Sequence, residues 1–261
     1  MFGWLRSRRR RAIRARPWPA EWDDILGRNV KQAAWLDDDE RRRLRAWVAV
    51  FVAEKRFEGC GGQRIDDEVR VSIAGQAGIM VLGMPEEHFD RLSSVLVYPG
   101  DYVVPRSTPL AGGGELEWRE PRLGETWQGG SMVLAWPRVV EGGRLRDGPR
   151  SVVIHECAHA IDMLDGDIDG VPPLESAPAR RAWIRGIGEC RVRFEEALDE
   201  GRFVAFDDYA AEGPGEFFAV ATECFFQDPH RLHRYDRELY ALMQEAWRQD
   251  PRSRLPAQRG R

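Results

Sequence analysis

The sequence predicts an α+β protein, mainly helical with a small sheet. Three observations lead there. Apolar residues recur at helical spacing through several long segments. Only two stretches, residues 94–104 and 132–140, have the composition of strands. Strands and helices do not alternate in the order a doubly wound sheet requires. With 261 residues and ten Trp, the chain can bury a sizeable core, as one large domain or two tightly joined lobes.

The elements follow in order. Residues 1–16 carry seven Arg and no acid; residues 1–17 read as a solvated, disordered basic tail, although such a run could touch an anionic partner. No apolar stretch follows the arginines, so the run is not a secretory signal. Ala33 to Phe57 is expected to be helical, with Asp37-Asp38-Asp39-Glu40 at its positive end and Leu44, Trp47, Val48 and Phe51 on one face. Val69 to Leu82 mixes apolar and small residues and suits a helix packed closely on its neighbours. Ser94 to Val104 and Met132 to Val140 are the strands, separated by a Gly- and Pro-punctuated segment from Pro105 to Gly130. Helices are expected again through Arg150–Asp165, Arg180–Asp199, the apolar run after Pro214, and Leu232–Trp247.

Charge and cysteine narrow the function classes. The net charge of -4 hides a split: residues 17–247 hold 27 basic against 42 acidic side chains, or -15, while both ends are basic. An acidic body is a poor nucleic-acid surface, so no direct nucleic-acid partner is expected. The longest apolar stretch, Ala46 to Ala53, is far too short to span a membrane, and no membrane partner is expected. Cys60, Cys157, Cys190 and Cys224 form no C-x-x-C pair and read as reduced thiols of a cytoplasmic protein.

The most informative feature is His155-Glu156-Cys157-Ala158-His159, an H-E-x-x-H. No Gly or Pro interrupts Arg150 to Asp165, so the motif lies on a helix, where positions four apart share a face and both imidazoles point at one spot. Glu156 lies about 100° round from His155 and can reach a water on a metal held there. With only five His in the chain, the motif would arise by chance about once in a hundred such sequences. Two imidazoles and one carboxylate make half of a catalytic zinc site, which needs a third ligand and an open position for water.

His88, His230 and His233 are candidates for that ligand, but Gly213 to Phe226 offers better ones. Glu216 and Glu223 are seven apart on one face of an otherwise apolar helix. Acids there are costly unless a cation or a hydrogen bond meets them; the alternative is that both are partly exposed at the helix ends, Glu216 favoured by the N-terminal dipole. Asp162, three residues past His159, and Glu223 are both candidates to hold a ligating imidazole from behind. Asp165 to Gly170 lacks the spacing and closing Glu of a calcium loop and reads as a turn. Gly112-Gly113-Gly114 is followed by an acid and no Lys, which argues against a phosphate loop.

Val153 to Asp162, then Asp165 to Pro172 and Pro214 to Phe226, resemble the Mlc titration factor A family of zinc-dependent peptidases. Ile73 to Gly78, Leu82-Gly83, Val95 to Pro99 and Trp127 to Trp136 fit the same family, so the resemblance covers roughly residues 18–248. It implies a zincin-like metallopeptidase lobe similar to the catalytic domain of anthrax lethal factor, one Zn2+ per chain held by His155, His159 and Glu216, and Glu156 as general base. It also implies Tyr209, seven residues before Glu216, as a donor to the developing oxyanion. The family usually has a large aromatic where this chain has Cys157, a difference read as packing. Expected partners are a peptide or protein substrate, aminopeptidase substrates among them. A transcriptional repressor is a further one, since the family's namesake sequesters a repressor of sugar-uptake genes. The expected division is a basic tail over 1–17, an N-terminal lobe over 18–140, the zinc metallopeptidase lobe over 141–248 and a basic C-terminal tail over 249–261.

Overall fold

A computed structural model describes residues 2–109, 115–122, 124–127, 130–145 and 148–255, with residues 2–3, 102–109, 115–122 and 124–127 described by their backbone alone. The order is α1 (Phe2–Arg14), α2 (Ala20–Asn29), α3 (Asp38–Glu54), β1 (Arg56–Gly59), α4 (Asp67–Met80), β2 (Ser94–Tyr98), β3 (Tyr102–Pro109), β4 (Glu115–Arg122), β5 (Gly124–Trp127), β6 (Ser131–Ala135) and α5 (Trp136–Gly143). Then come α6 (Val152–Asp162), α7 (Ala177–Asp199), α8 (Pro214–Gln227), α9 (Pro229–Tyr235), α10 (Arg237–Trp247) and α11 (Pro251–Arg254). The fold is α+β and mainly helical, as the sequence predicts.

The small sheet runs β1-β2-β6-β5, its first three strands parallel and β5 antiparallel to β6. A separate antiparallel pair, β3 with β4, comes between β2 and β5 in the chain. The expected strand at 94–104 is therefore two strands, broken at Pro99-Gly100. The one at 132–140 ends at Ala135, because Trp136-Pro137 opens α5 and proline suits a helix's first turn. The Pro105–Gly130 segment holds strands that its polar, Pro-containing composition concealed. Gly112-Gly113-Gly114 lies outside the described residues.

Local chemistry sets the helix starts. Asp37 and Glu40 form a reciprocal capping box at α3, with the Glu40 N–H donating to Asp37 at 2.8 Å. Ser151 caps α6, Ser176 caps α7 and Asp228 caps α9. α4 is buried almost throughout. Gly75 and Gly78 let α2 and α3 approach it so closely that a Cβ at either would stand 2.5 Å from Leu26 or from Leu44 and Trp47. One apolar core runs from α2 to α10, through Ile73, Val95, Ile154, Phe218 and Trp247. Burying Phe217, Phe218, Phe225 and Phe226 stabilises α8 against this core by roughly 2 kcal/mol per ring.

The two ends depart from expectation. The Arg-rich segment is helix α1, not a disordered tail. Arg6, Arg10 and Arg14, each four residues apart, share one face and meet Glu54 at the end of α3 and Glu86 and Asp90 before β2. The Arg10 guanidinium lies 2.8 Å from Glu54 and 2.5 Å from Asp90, and Ile13 is buried beside it. Read along the sequence the run has no acids, but the fold supplies them from distant positions. At the other end, Gln249 donates to the carbonyls of Ile79 and Met80, and Leu255 is buried. Residues 249–255 are thus packed; 256–261 lie outside the described residues.

Candidate metal centre

α6 and α8 pack against each other, and their facing side chains build the centre. Ser151 starts α6, its hydroxyl accepting from the Ile154 N–H at 3.3 Å. Val153, Ile154, Cys157, Ala158 and Ile161 turn wholly into the core, which leaves His155 and His159 on the face toward α8. Cys157 packs, as expected for a position away from the histidines. α8 starts at Pro214, so Glu216 sits in its first turn, directly over that face.

The three donor atoms meet at nearly equal distances. Nε2 of His155 and Nε2 of His159 are 3.1 Å apart, and Oε2 of Glu216 lies 3.2 Å from the first and 3.4 Å from the second. Ligands about 2.0–2.1 Å from a tetrahedral zinc stand about 3.3 Å from one another. Despite its proximity to both imidazoles, Glu216 Oε2 makes no hydrogen bond, and the buried Nδ1 of His159 has no partner among the described residues. The three donor atoms converge on a common point. Among the described residues, these three form the one His/Cys/Asp/Glu group spaced to hold a metal ion. The residues fit the group. Their side chains keep 11–24% exposure, so one side of the centre stays open to solvent.

Glu223 stands behind His155. Its Oε1 is 2.8 Å from His155 Nδ1, and its Oε2 accepts from the Ser151 N–H at 2.5 Å. A carboxylate there places the proton on Nδ1 and turns the Nε2 lone pair toward the common point. The Ser151 hydroxyl donates to Gln76 Oε1 at 2.9 Å, and Gln76 Nε2 donates to Val139 O at 2.8 Å. This links α4, α6 and α8. Burial works against a charged His155, but the Glu216 and Glu223 carboxylates overcome it and hold its pKa well above the ordinary value. Burial likewise opposes a charged Glu216, and the two imidazoles hold its carboxyl well below the usual range.

Asp162, the other candidate for a supporting acid, bonds elsewhere. Its two oxygens accept from the Gly170 and Val171 N–H groups, each at 2.9 Å, so it pins the turn after α6. That turn lies tight on the start of α8. Gly170 adopts φ +75° with a Cβ position only 2.6 Å from Pro214 O, and a Cβ at Gly215 would stand 2.5 Å from Ile168. Asp165 and Asp169 face Arg180, in keeping with a turn and not a calcium loop.

Glu156 is buried, at 2% exposure, one residue from the first ligand candidate. Tyr209 lies on a single 3-10 turn, Asp208–Glu212, whose start is capped by Asp207; its ring centroid is 6.2 Å from that of His155 and the side chain is 38% exposed. The other histidines are elsewhere: His230 bonds Leu255 O, His233 rests on Tyr240, and His88 lies in a short turn before β2. The sequence missed Gln76 and Ser151. Only the capping position of Ser151, ahead of an apolar helix, hinted at either.

A helix bearing H-E-x-x-H, met by an acid from a later helix, is the arrangement of a zincin-like metallopeptidase. The chain belongs to the glucose-regulated metallo-peptidase M90 family, which it matches over residues 4–248. It is 33% identical to the uncharacterized protein slr2042 of Synechocystis sp. over 250 residues, 95% of this chain and 90% of that one. It is 28% identical to Mlc titration factor A of Yersinia pestis and of Yersinia pseudotuberculosis over 241 residues, 90% of this chain and 87% of theirs.

Proposed function

We propose that the chain is a zinc-dependent metallopeptidase that hydrolyses peptide bonds, with His155, His159 and Glu216 as metal ligands. The observation that carries this reading is the near-equilateral triangle of donor atoms beside Glu156. Two imidazole nitrogens and one carboxylate oxygen suit zinc among the common divalent ions. When bound, zinc supplies Lewis acidity that polarises a peptide carbonyl and lowers the pKa of water toward neutrality.

The protein's own residues do the rest. Glu156 takes the proton of the attacking water and returns it to the leaving amine. Tyr209 donates its hydroxyl proton as a hydrogen bond to the oxyanion that develops on the carbonyl. Glu223 keeps the His155 ring in one tautomer and orientation. Residues 141–248 carry this chemistry and residues 18–140 brace it, through Gln76 in particular. Four unpaired thiols suit the reducing cytoplasm. Among the described residues, no helix is long and apolar enough to cross a membrane.

Metal analysis of the purified protein tests the ligand set: about one zinc per chain is expected in the parent, and a Glu216→Ala variant should lose it or bind it far more weakly. Glu156→Gln should keep the zinc and lose at least about 100-fold in peptide hydrolysis, assayed on both aminopeptidase substrates and longer internally quenched peptides. Activity surviving in Glu156→Gln would overturn the mechanism.

A second reading comes from the relatives named Mlc titration factor A: this chain also binds a transcriptional repressor. Binding that persists in both Glu156→Gln and Glu216→Ala would place that function on a separate surface; binding lost with the metal would join the two.

A further inference from the structure

The arginines of α1 sort into two sets, and the proposed peptidase uses neither. Arg6, Arg10 and Arg14 face inward and pair with Glu54, Glu86 and Asp90, which fixes the helix to the body. Arg8, Arg9 and Arg11, with Arg16 just past the helix, are all exposed and meet no acid among the described residues. They share the outer surface with two large apolar side chains, Trp4 at 67% and Leu5 at 55% exposure. Spacing accounts for this: Trp4, Arg8 and Arg11 lie along one helical row, and Leu5 and Arg9 along the next. Arg8 lies over the Trp4 ring, 5.7 Å from its centroid.

Unpaired cations and exposed apolar groups on one rigid face call for a partner that is anionic and apolar at once. We propose that the outer face of α1 docks on an anionic lipid surface, with the arginines at the headgroup phosphates and Trp4 and Leu5 at the acyl boundary. Charge complementarity is local to this helix, because residues 17–247 carry -15 and would be repelled by the same surface. That opposition sets the orientation: α1 faces the lipid and the acidic body faces away. A nucleic acid would engage the arginines equally well and can stack a base on Trp4, but it leaves Leu5 in water, so lipid is the better fit to the whole face.

Vesicle co-sedimentation of the full chain tests this, with phosphatidylcholine vesicles compared against phosphatidylcholine doped with phosphatidylglycerol. Binding is expected to the doped vesicles alone and to weaken with salt. Each surface arginine contributes about fivefold in affinity, so Arg8→Gln, Arg9→Gln and Arg11→Gln together should reduce it roughly a hundredfold. These three leave the inner ion pairs intact, and unchanged far-UV circular dichroism and thermal midpoint would show that α1 is still folded and docked. Trp4→Ala should weaken vesicle binding separately. Failure to bind doped vesicles overturns the proposal, as does binding that the triple variant retains. Tighter binding to duplex DNA than to the vesicles, insensitive to Trp4→Ala, would instead assign the face to nucleic acid and overturn the lipid assignment.

Discussion

At one end of the chain, α1 sets Arg6, Arg10 and Arg14 against Glu54, Glu86 and Asp90, three cations meeting three acids. Between α6 and α8, Glu156, Glu216 and Glu223 gather around two imidazoles. Both clusters join distant parts of the chain, and both bury charge that water would otherwise solvate. The first closes its own charge. The second carries a surplus of acid, and three of its donor atoms, Nε2 of His155 and of His159 and Oε2 of Glu216, face one point. A cluster that neutralises itself is explained by packing; one that leaves donor atoms aimed at a shared point is explained by what enters from outside.

The sharpest way to break this contrast is to unbalance the closed cluster. Arg10→Met keeps the buried stem but leaves Glu54 without its cation and Asp90 with Arg6 alone. The cost should be about 3 kcal/mol, at the low end for a buried pair because the acids keep some exposure. Denaturant unfolding should show that loss while the metal content stays at the parent's value. A change in metal content would mean that the two clusters are coupled. Glu223→Gln probes the open cluster next. It leaves the three ligand candidates in place but removes the carboxylate from His155 Nδ1. Metal affinity, measured by competition with a chelator, should fall 10- to 100-fold. An affinity equal to the parent's would remove Glu223 from the centre and reduce it to a cap for Ser151.

Much of this was legible in the sequence, for identifiable reasons. His155, Glu156 and His159 lie within one helical turn, and local spacing alone puts the imidazoles together. Glu216 stood out because an acid on an apolar helix needs an explanation, and the structure supplies it at 3.2 Å from His155. The division of labour between Asp162 and Glu223 was not legible, since spacing permits both and only the packing of α6 on α8 and of the following turn decides. Gln76 acts from 75 positions before Ser151, with no local pattern to mark it. The α1 segment misled for the opposite reason. A run of like charges reads as a solvated tail until the fold brings acids 44 and 80 positions away to Arg10. The β3–β4 pair was concealed because its residues alternate weakly and include Pro105, Pro109 and Pro121.

Asp162 gives the finest test of the contrast, because it is an acid beside the open cluster that the protein itself satisfies. Its two oxygens accept from two backbone N–H groups. An Asn there can accept only one of them and turns an N–H group toward the other, which leaves a buried donor unpaired. Part of that loss is offset, since the variant no longer buries a charge. Burial holds the folded-state carboxyl near 6 against 3.8 in the unfolded chain. The folded state therefore binds the extra proton between those values, and Asp162 favours folding least above pH about 6. Asp162→Asn should cost about 1 kcal/mol at neutral pH and more near pH 4, measured on chelator-treated protein so that metal binding does not contribute. No loss at either pH would mean that the turn does not depend on Asp162, and its charge would then belong to the surplus that draws a cation to α6 and α8.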